Sequence, residues 1–151
     1  MKFFTRAWVN GEMTDEQAAD IPEAYWRYLA TLLLPTSIIA LSKVNPHDAY
    51  LVALEHEPEH SRLTLRLRCG DLQRGYSDVT LAFSQVAVER ATLDMLRRAV
   101  RPAQVEVLYD EVDRSGDGFE YRLLLYPDDE VSIQFKDVNL VERPVADRMA
   151  G

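Results

Sequence analysis

The spacing of apolar residues changes partway along the chain. In the first third, apolar residues recur every three or four positions, as in Tyr25, Leu29 and Leu33, which predicts helices with one buried face. Beyond Asn45-Pro46, apolar and polar residues alternate, which predicts strands with one face toward the core. We therefore predict an α+β fold, with N-terminal helices packed on a mainly antiparallel, hairpin-built sheet of about six strands.

The predicted elements divide one domain into three parts. Residues 1–45 are predicted to be mainly helical, 46–142 to form mainly antiparallel sheet, and 143–151 to form a tail. One further short helix is predicted near 92–99, and Pro102 is expected to close it. The first ten residues are apolar and aromatic, which is typical of either a first strand or an extended arm packed on the domain.

Local signals fix some of the helix ends. Thr14 is a suitable N-cap, and Gln17 follows three residues later, as in a capping box. Residues Thr36 to Val44 are predicted to form a short helix after Pro35, with Ile38, Ile39 and Leu41 as its apolar positions. These signals predict at least two helices before the sheet begins.

Composition limits the class of protein. A chain of 151 residues with 47% hydrophobic residues fits one globular domain. The apolar run Leu32–Leu34 ends at Pro35, far short of the roughly 20 residues that a membrane-spanning helix needs. Cys69 is the single cysteine, so no intrachain disulfide can form, and the start lacks the long apolar stretch of a signal peptide. We expect a cytoplasmic protein with no membrane partner.

Negative charge is concentrated in one segment. The net charge is −8, which argues against a nucleic-acid partner, and Glu106–Glu130 holds nine acidic and two basic residues. The acids could keep hairpin tips soluble, or they could form a surface that attracts a basic partner. The candidate partner-binding residues are Glu106, Asp110, Glu111, Asp113, Asp117, Asp128, Asp129 and Glu130.

Aromatic residues in the same segment are candidate anchors for a partner, because aromatics carry much of the energy of interfaces. They are Tyr109, Phe119, Tyr121 and Tyr126. The alternative is that these rings face the core. A homodimer formed through an exposed sheet edge is a further possibility.

The segment His56–His60 fits the zinc-binding pattern H-E-x-x-H. That pattern needs a helix, which places both histidines on one face, and Pro58 in its middle disfavours a helix. We predict an exposed hairpin tip instead. Asp113–Gly118 likewise begins like a calcium loop, but Leu124 stands where the loop needs a glutamate. We predict no metal, no cofactor and no catalytic residue.

A pocket near His47, Asp48 and Asp71 is the alternative functional site. His47-Asp48 is similar to the metal-binding dyad of HD phosphohydrolases, but those enzymes are all-helical and need further ligands. A small-ligand-binding or hydrolytic domain is therefore the alternative to an interaction protein. Cys69 closes an alternating strand and is expected to be a buried, unreactive thiol.

Several segments resemble small bacterial proteins of an uncharacterised family. They are the opening Met1–Trp8, the Pro46–Ala49 entry, Cys69–Asp78, Tyr109–Val112, Tyr126–Glu130 and Phe135–Asp137. The resemblance implies the same architecture over most of the chain and brings no catalytic residues. Small acidic proteins of this kind also resemble immunity proteins of bacterial toxin systems. That similarity implies a non-enzymatic protein that binds and neutralises a toxin or enzyme.

Overall fold

The computed structural model describes residues 1–100 and 105–149. The predicted helix end at Pro102 lies outside these residues. The helices are α1 (Arg6–Val9), α2 (Asp15–Ala19), α3 (Ile21–Thr31), α4 (Thr36–Ser42) and α5 (Arg90–Ala99). The strands are β1 (Tyr50–Glu57), β2 (Arg62–Asp71), β3 (Gly75–Ser84), β4 (Val107–Ser115), β5 (Gly118–Leu125), β6 (Asp129–Phe135) and β7 (Asp137–Val145). Helices followed by antiparallel strands confirm the α+β class.

The strands form two sheets, so the prediction of one sheet of about six strands is wrong. Strands β1, β2, β3 and β7 form a four-stranded sheet, and β4, β5 and β6 form a three-stranded sheet. Alternation along a strand shows which residues face the core, but it does not show which strands pair. Helix α5 separates the two hairpin systems, and β7 returns to pair with β3 across a long stretch of sequence.

The change of sheet occurs between β6 and β7. Lys136 is the single residue between these strands, and its backbone N–H donates to the carbonyl oxygen of Ser84 at the end of β3. Strand β7 then pairs with β3 from Asp137 opposite Ser84 to Val145 opposite Tyr76. The sheet therefore extends into the residues predicted as a tail from 143 onward.

The N-terminal helices follow their local signals. Thr14 and Gln17 form the predicted capping box at the start of α2. The first residues combine an extended arm with the short helix α1, which Thr5 caps by accepting a hydrogen bond from the N–H of Trp8. Helix α3 ends at Thr31, so Leu33 lies beyond the helix and is not on its buried face.

The two sheets share one core. The Phe83 ring on β3 lies 4.8 Å from the Phe135 ring on β6 and 5.9 Å from the Tyr121 ring on β5. Leu65 and Leu81 are fully buried on paired positions of β2 and β3. Replacing such a leucine by alanine typically costs about 2–5 kcal/mol of stability. No helix in residues 1–100 or 105–149 has both the length and the apolar content needed to cross a membrane.

Candidate functional site

Glu111 is an interior residue that anchors the N-terminal arm. Only 1% of Glu111 is exposed, and its carboxylate accepts hydrogen bonds of 2.6–2.7 Å from the backbone N–H groups of Lys2, Phe3 and Phe4. The Arg122 guanidinium lies 3.1 Å from the same carboxylate. This predicted partner-binding residue therefore belongs to the fold, because its acceptor oxygens are already occupied inside the protein.

Asp113 is also buried, beside Glu111 on β4. Its carboxylate accepts a hydrogen bond from the Tyr28 hydroxyl at 2.5 Å and lies 2.8 Å from Arg122. Burial works against the charged form, but these hydrogen bonds outweigh it and lower the pKa of Asp113. Arg122 also pairs with Glu120 at 2.7 Å. Burial by itself lowers the pKa of Arg122, but the effect of its carboxylate partners is larger and raises the pKa above its ordinary value.

Asp110 points to the opposite face of β4 from Glu111, as the alternation of a strand requires. Burial raises the pKa of the Asp110 carboxyl to about 7, and the nearby Glu111 carboxylate adds to the effect. The Tyr121 hydroxyl in the same interior region has no hydrogen-bond partner among the described residues. Asp110 is half-buried and Tyr121 is buried, and the nearby Tyr121 hydroxyl partly opposes the rise in the pKa of Asp110.

The other candidate acids are dispersed. Glu106 pairs with Arg148 at 2.7 Å, Asp117 pairs with Lys136, and Glu130 contacts the amino group of Met1. Asp128 is exposed and Asp129 is half-buried at the β5–β6 turn. Asp117 and Asp128 therefore lie at opposite ends of the β5 strand. The structure does not bring the eight predicted acids together into one surface.

The aromatic candidates are mostly interior. Tyr121 and Phe119 are buried, and Tyr109 stacks on Phe4 with ring centroids 5.1 Å apart. Tyr126 is exposed. Of the four candidate anchors, Tyr126 alone presents its ring to solvent.

An apolar groove lies on the helical side of the molecule, at residues for which the sequence pattern does not predict a function. Trp26, Leu33 and Ile39 are 51%, 86% and 40% exposed, and all three line this groove of about 430 Å³. Leu34 and Lys43 also contribute to its walls. Water contact at so many large apolar side chains in one place is typical of a protein interaction surface.

Leu33 has an unusual backbone. It follows the end of α3 with φ of 51°, in the left-handed region that favours glycine, and that position after a helix is commonly a glycine. A leucine in this conformation costs about 1–2 kcal/mol, and its side chain gains no burial in return. The exposure of Leu33 is not predicted by the sequence, because the apolar run Leu32–Leu34 resembles the end of a buried helix face.

The residues of the alternative pocket do lie together. His47, Asp48 and Asp71 line one cleft of about 350 Å³ between the α4–β1 connection and the tip of the β2–β3 hairpin. Lys43 and Arg74 supply positive charge there. Hydrogen bonds from the backbone N–H groups of Arg74 and Gln73 lower the pKa of the exposed Asp71 carboxyl. The cleft therefore combines charges of both signs.

His47 and Asp48 are held by the backbone around them. His47 Nδ1 lies 2.6 Å from the carbonyl oxygen of Leu108, and its Nε2 lies 3.6 Å from Asp48 Oδ1. Asp48 has φ of 60°, and its N–H donates to the carbonyl oxygen of Val107. Aspartate tolerates this left-handed conformation better than most residues. The arrangement fixes the orientation of the imidazole.

Cys69 lines the same cleft as a buried thiol. Burial is the main cause that raises its pKa to about 12, and nearby carboxylates add to the shift. A thiol in this state is protonated and a poor nucleophile. The predicted inertness of Cys69 therefore has a physical basis in its surroundings.

The metal-like motifs are not assembled into a site. His56 lies in β1, and Pro58–His60 is a three-residue 3-10 turn between β1 and β2. The segment is therefore not a helix that aligns two histidines. Within residues 1–100 and 105–149, no three histidine, cysteine, aspartate or glutamate side chains are grouped so that they could hold a metal ion.

Comparison with known proteins gives one match. Residues 2–135 match the family described as "Protein of unknown function (DUF4085)". No curated protein and no solved structure matches the chain. The match agrees with the resemblance to an uncharacterised family, while the similarity to toxin-immunity proteins stays a prediction.

Proposed function

We propose that the chain, which belongs to the DUF4085 family of proteins of unknown function, is a non-enzymatic interaction protein that binds a partner protein through the groove of Trp26, Leu33 and Ile39. The observation that carries this proposal is the exposure of these three large apolar side chains at one place. Fully burying one such side chain contributes about 1.5–3 kcal/mol, so a partner that covers the groove gains substantial binding energy.

The conformation of Leu33 supports the same proposal. A glycine at this position would relieve the backbone and remove an exposed apolar side chain, so folding alone favours glycine. Strained residues persist where function selects for them, and an observed outlier is a reason to look for function. The leucine side chain is therefore best explained by a contact made outside the free molecule.

The net charge of −8 supports a basic partner, because unlike charges speed the encounter of two proteins. Glu111 and Asp113 pair with Arg122 inside the protein, so they do not form part of a compact acidic patch. The acids therefore contribute through long-range attraction. The charge favours one form of this proposal. In this form the protein acts in the cytoplasm and neutralises a basic toxin or enzyme, as an immunity protein does.

The decisive experiment compares two glycine substitutions in a binding assay. A photo-crosslinking amino acid is placed at Ala30 in the groove, and host extracts and the purified protein are irradiated separately. We expect crosslinks to a partner that Leu33→Gly or Trp26→Ala abolishes. Gln85→Gly is the matched control, because Gln85 also has a left-handed backbone, with φ of 50°, but does not line the groove.

Each result of this experiment has a defined meaning. Crosslinks that survive Leu33→Gly and Trp26→Ala would show that the groove is not the contact. Crosslinks between copies of the purified protein would assign the groove to self-association. Loss of crosslinking in Gln85→Gly as well would point to a general folding defect and would remove the support for the proposal.

A small-ligand-binding domain is the second candidate. It is favoured by one observation, the convergence of His47, Asp48 and Asp71 on a single cleft. Mixed charges in the cleft suit a small ligand that carries both signs of charge. Soaking or titration with zwitterionic metabolites, monitored by NMR shifts at Lys43 and Arg74, tests this candidate. Shifts that Asp48→Asn and Arg74→Gln leave unchanged would reject it.

A further inference from the structure

A third cleft lies between the start of α5 and β6 and has a volume of about 630 Å³. Its acidic lining residues are Glu89, Glu120 and Glu130, and none of the lysines, arginines and histidines in residues 1–100 and 105–149 lines it. Ser132 and Gln134 of β6 add polar atoms, while Met95 and Val131 provide apolar walls. The cleft is separate from both sites discussed above.

The three carboxylates differ in what they already bind. Glu120 pairs with Arg122 and accepts a hydrogen bond from Ser132, and Glu130 contacts the amino group of Met1. The carboxylate of exposed Glu89 forms no hydrogen bond or ion pair with any residue in the described part of the chain. Glu89 is thus the acid of the cleft that remains available to a ligand.

A second, independent feature points to a ligand at the same place. Thr92 is only 7% exposed, lies one turn after Glu89 at the start of α5, and lines the cleft. Its hydroxyl makes no hydrogen bond with the residues that the structure describes. Among the described residues, the Tyr121 hydroxyl is the buried side-chain polar atom without a partner, so the Thr92 oxygen is not sealed from solvent and can accept a hydrogen bond from a ligand in the cleft.

The chemistry of the lining selects the kind of ligand. Carboxylates, hydroxyl oxygens and an amide oxygen are acceptors that suit a group with several N–H donors. The carboxylates are too dispersed to surround a small metal ion, since no group of three metal-binding side chains occurs within the described residues. The walls formed by Met95 and Val131 can pack against a short aliphatic stem.

We propose that this cleft binds an alkylguanidinium or alkylammonium group, with Glu89 as its charge partner and Thr92 and Gln134 as hydrogen-bond acceptors. The partial positive charge at the start of α5 is smaller than the full negative charge of Glu89 beside it, so the rim stays attractive to a cation. The group can come from a free amine or from an arginine or lysine side chain of another protein.

The test uses three probes and the full chain in an NMR titration. N-acetyl-arginine N-methylamide represents a protein side chain, agmatine represents a free amine, and N-acetyl-citrulline N-methylamide is the uncharged isostere of the first. We expect the charged probes to shift amide signals of residues 87–95 and 130–134, and the citrulline probe to bind much more weakly. Binding of the peptide-like probe alone assigns a protein ligand, and binding of agmatine assigns a free amine.

Variants connect the signal to the named residues. We expect Glu89→Gln to weaken binding about threefold to tenfold and Thr92→Val about threefold. Glu59→Gln, at an exposed position on the 3-10 turn, is the matched control and should change nothing. Equal binding of the citrulline probe, shifts spread over the whole surface, no shifts at all, or full binding by Glu89→Gln would overturn the proposal. Because Glu89 is exposed, its variant folds even if Thr92→Val does not.

Discussion

The Glu111 carboxylate and the Arg122 guanidinium form a 3.1 Å ion pair beneath the N-terminal arm. The remaining acceptor positions of Glu111 take three successive backbone N–H groups, from Lys2 to Phe4. One buried acid therefore joins β4, β5 and the arm. A charge so deeply buried is tolerated because an opposite charge and hydrogen bonds surround it.

We expect Glu111→Gln to lower the free energy of unfolding by about 3 kcal/mol, because it leaves Arg122 with one buried partner fewer and replaces an acceptor oxygen by a donor. Urea denaturation of variant and wild type measures the change. Glu59→Gln, an exposed substitution of the same kind, should stay within about 0.5 kcal/mol of wild type. Similar small losses in both variants would mean that Glu111 does not anchor the arm.

Two tyrosine-to-phenylalanine variants should behave differently. The Tyr25 hydroxyl accepts a 2.7 Å hydrogen bond from the N–H of Val112, so Tyr25→Phe leaves a buried donor unpaired and should cost about 1–3 kcal/mol. The buried Tyr121 hydroxyl has no partner among the described residues, so Tyr121→Phe should be neutral or stabilising by up to about 1 kcal/mol. Thermal denaturation of both variants decides the matter. A large loss for Tyr121→Phe would reveal a hydrogen bond in solution.

Asp110 should make stability depend on pH near neutrality. Its pKa is about 7 in the folded state, against an ordinary value of 3.8, so the folded state retains a proton that the unfolded state releases between these values. This contribution is fully present below about pH 4 and is lost as the pH rises through 7.

Asp110→Asn should remove that dependence. We expect the variant to exceed wild type by about 4 kcal/mol above pH 7 and to match it near pH 4, because each pKa unit is worth about 1.4 kcal/mol and an amide stays neutral throughout. Chemical denaturation across this range gives the difference curve, and exposed Asp128→Asn should give a flat one. A flat curve for Asp110→Asn would contradict the raised pKa.

Removing the Leu33 side chain from the groove should stabilise the fold. Leu33→Gly should raise the free energy of unfolding by about 0.5–1 kcal/mol, because relief of the left-handed backbone exceeds the entropy cost of glycine. Gln85→Gly should give a similar gain. Denaturation of both variants checks this, and a clear destabilisation by Leu33→Gly alone would show that Leu33 serves the fold.

The sequence predicted local features well because their causes are local. The capping box of Thr14 and Gln17 depends on residues three positions apart, and the alternation of Leu63, Leu65 and Leu67 places each of them in the core. Pro58 correctly indicated that His56–His60 is not an α-helix. Each of these features needs only neighbouring residues to be recognised.

Features that depend on distant contacts were not predicted. The acidic segment Glu106–Glu130 predicts a surface position for Glu111, whereas its burial depends on an arm more than a hundred residues away. The pairing of β3 with β7 likewise has no local signal. The spacing of Leu33 continues that of α3 and predicts a buried position, but the helix ends at Thr31.

The passage from β6 to β7 through Lys136 has a consequence for how the chain can be divided. The first hundred residues contain β1, β2 and β3 but not the strand that completes their sheet, which the second part of the chain supplies. Neither fragment of a chain cut after Val100 would hold a finished four-stranded sheet. The two pieces would need to recombine to fold, so separate expression and mixing should restore the structure by complementation.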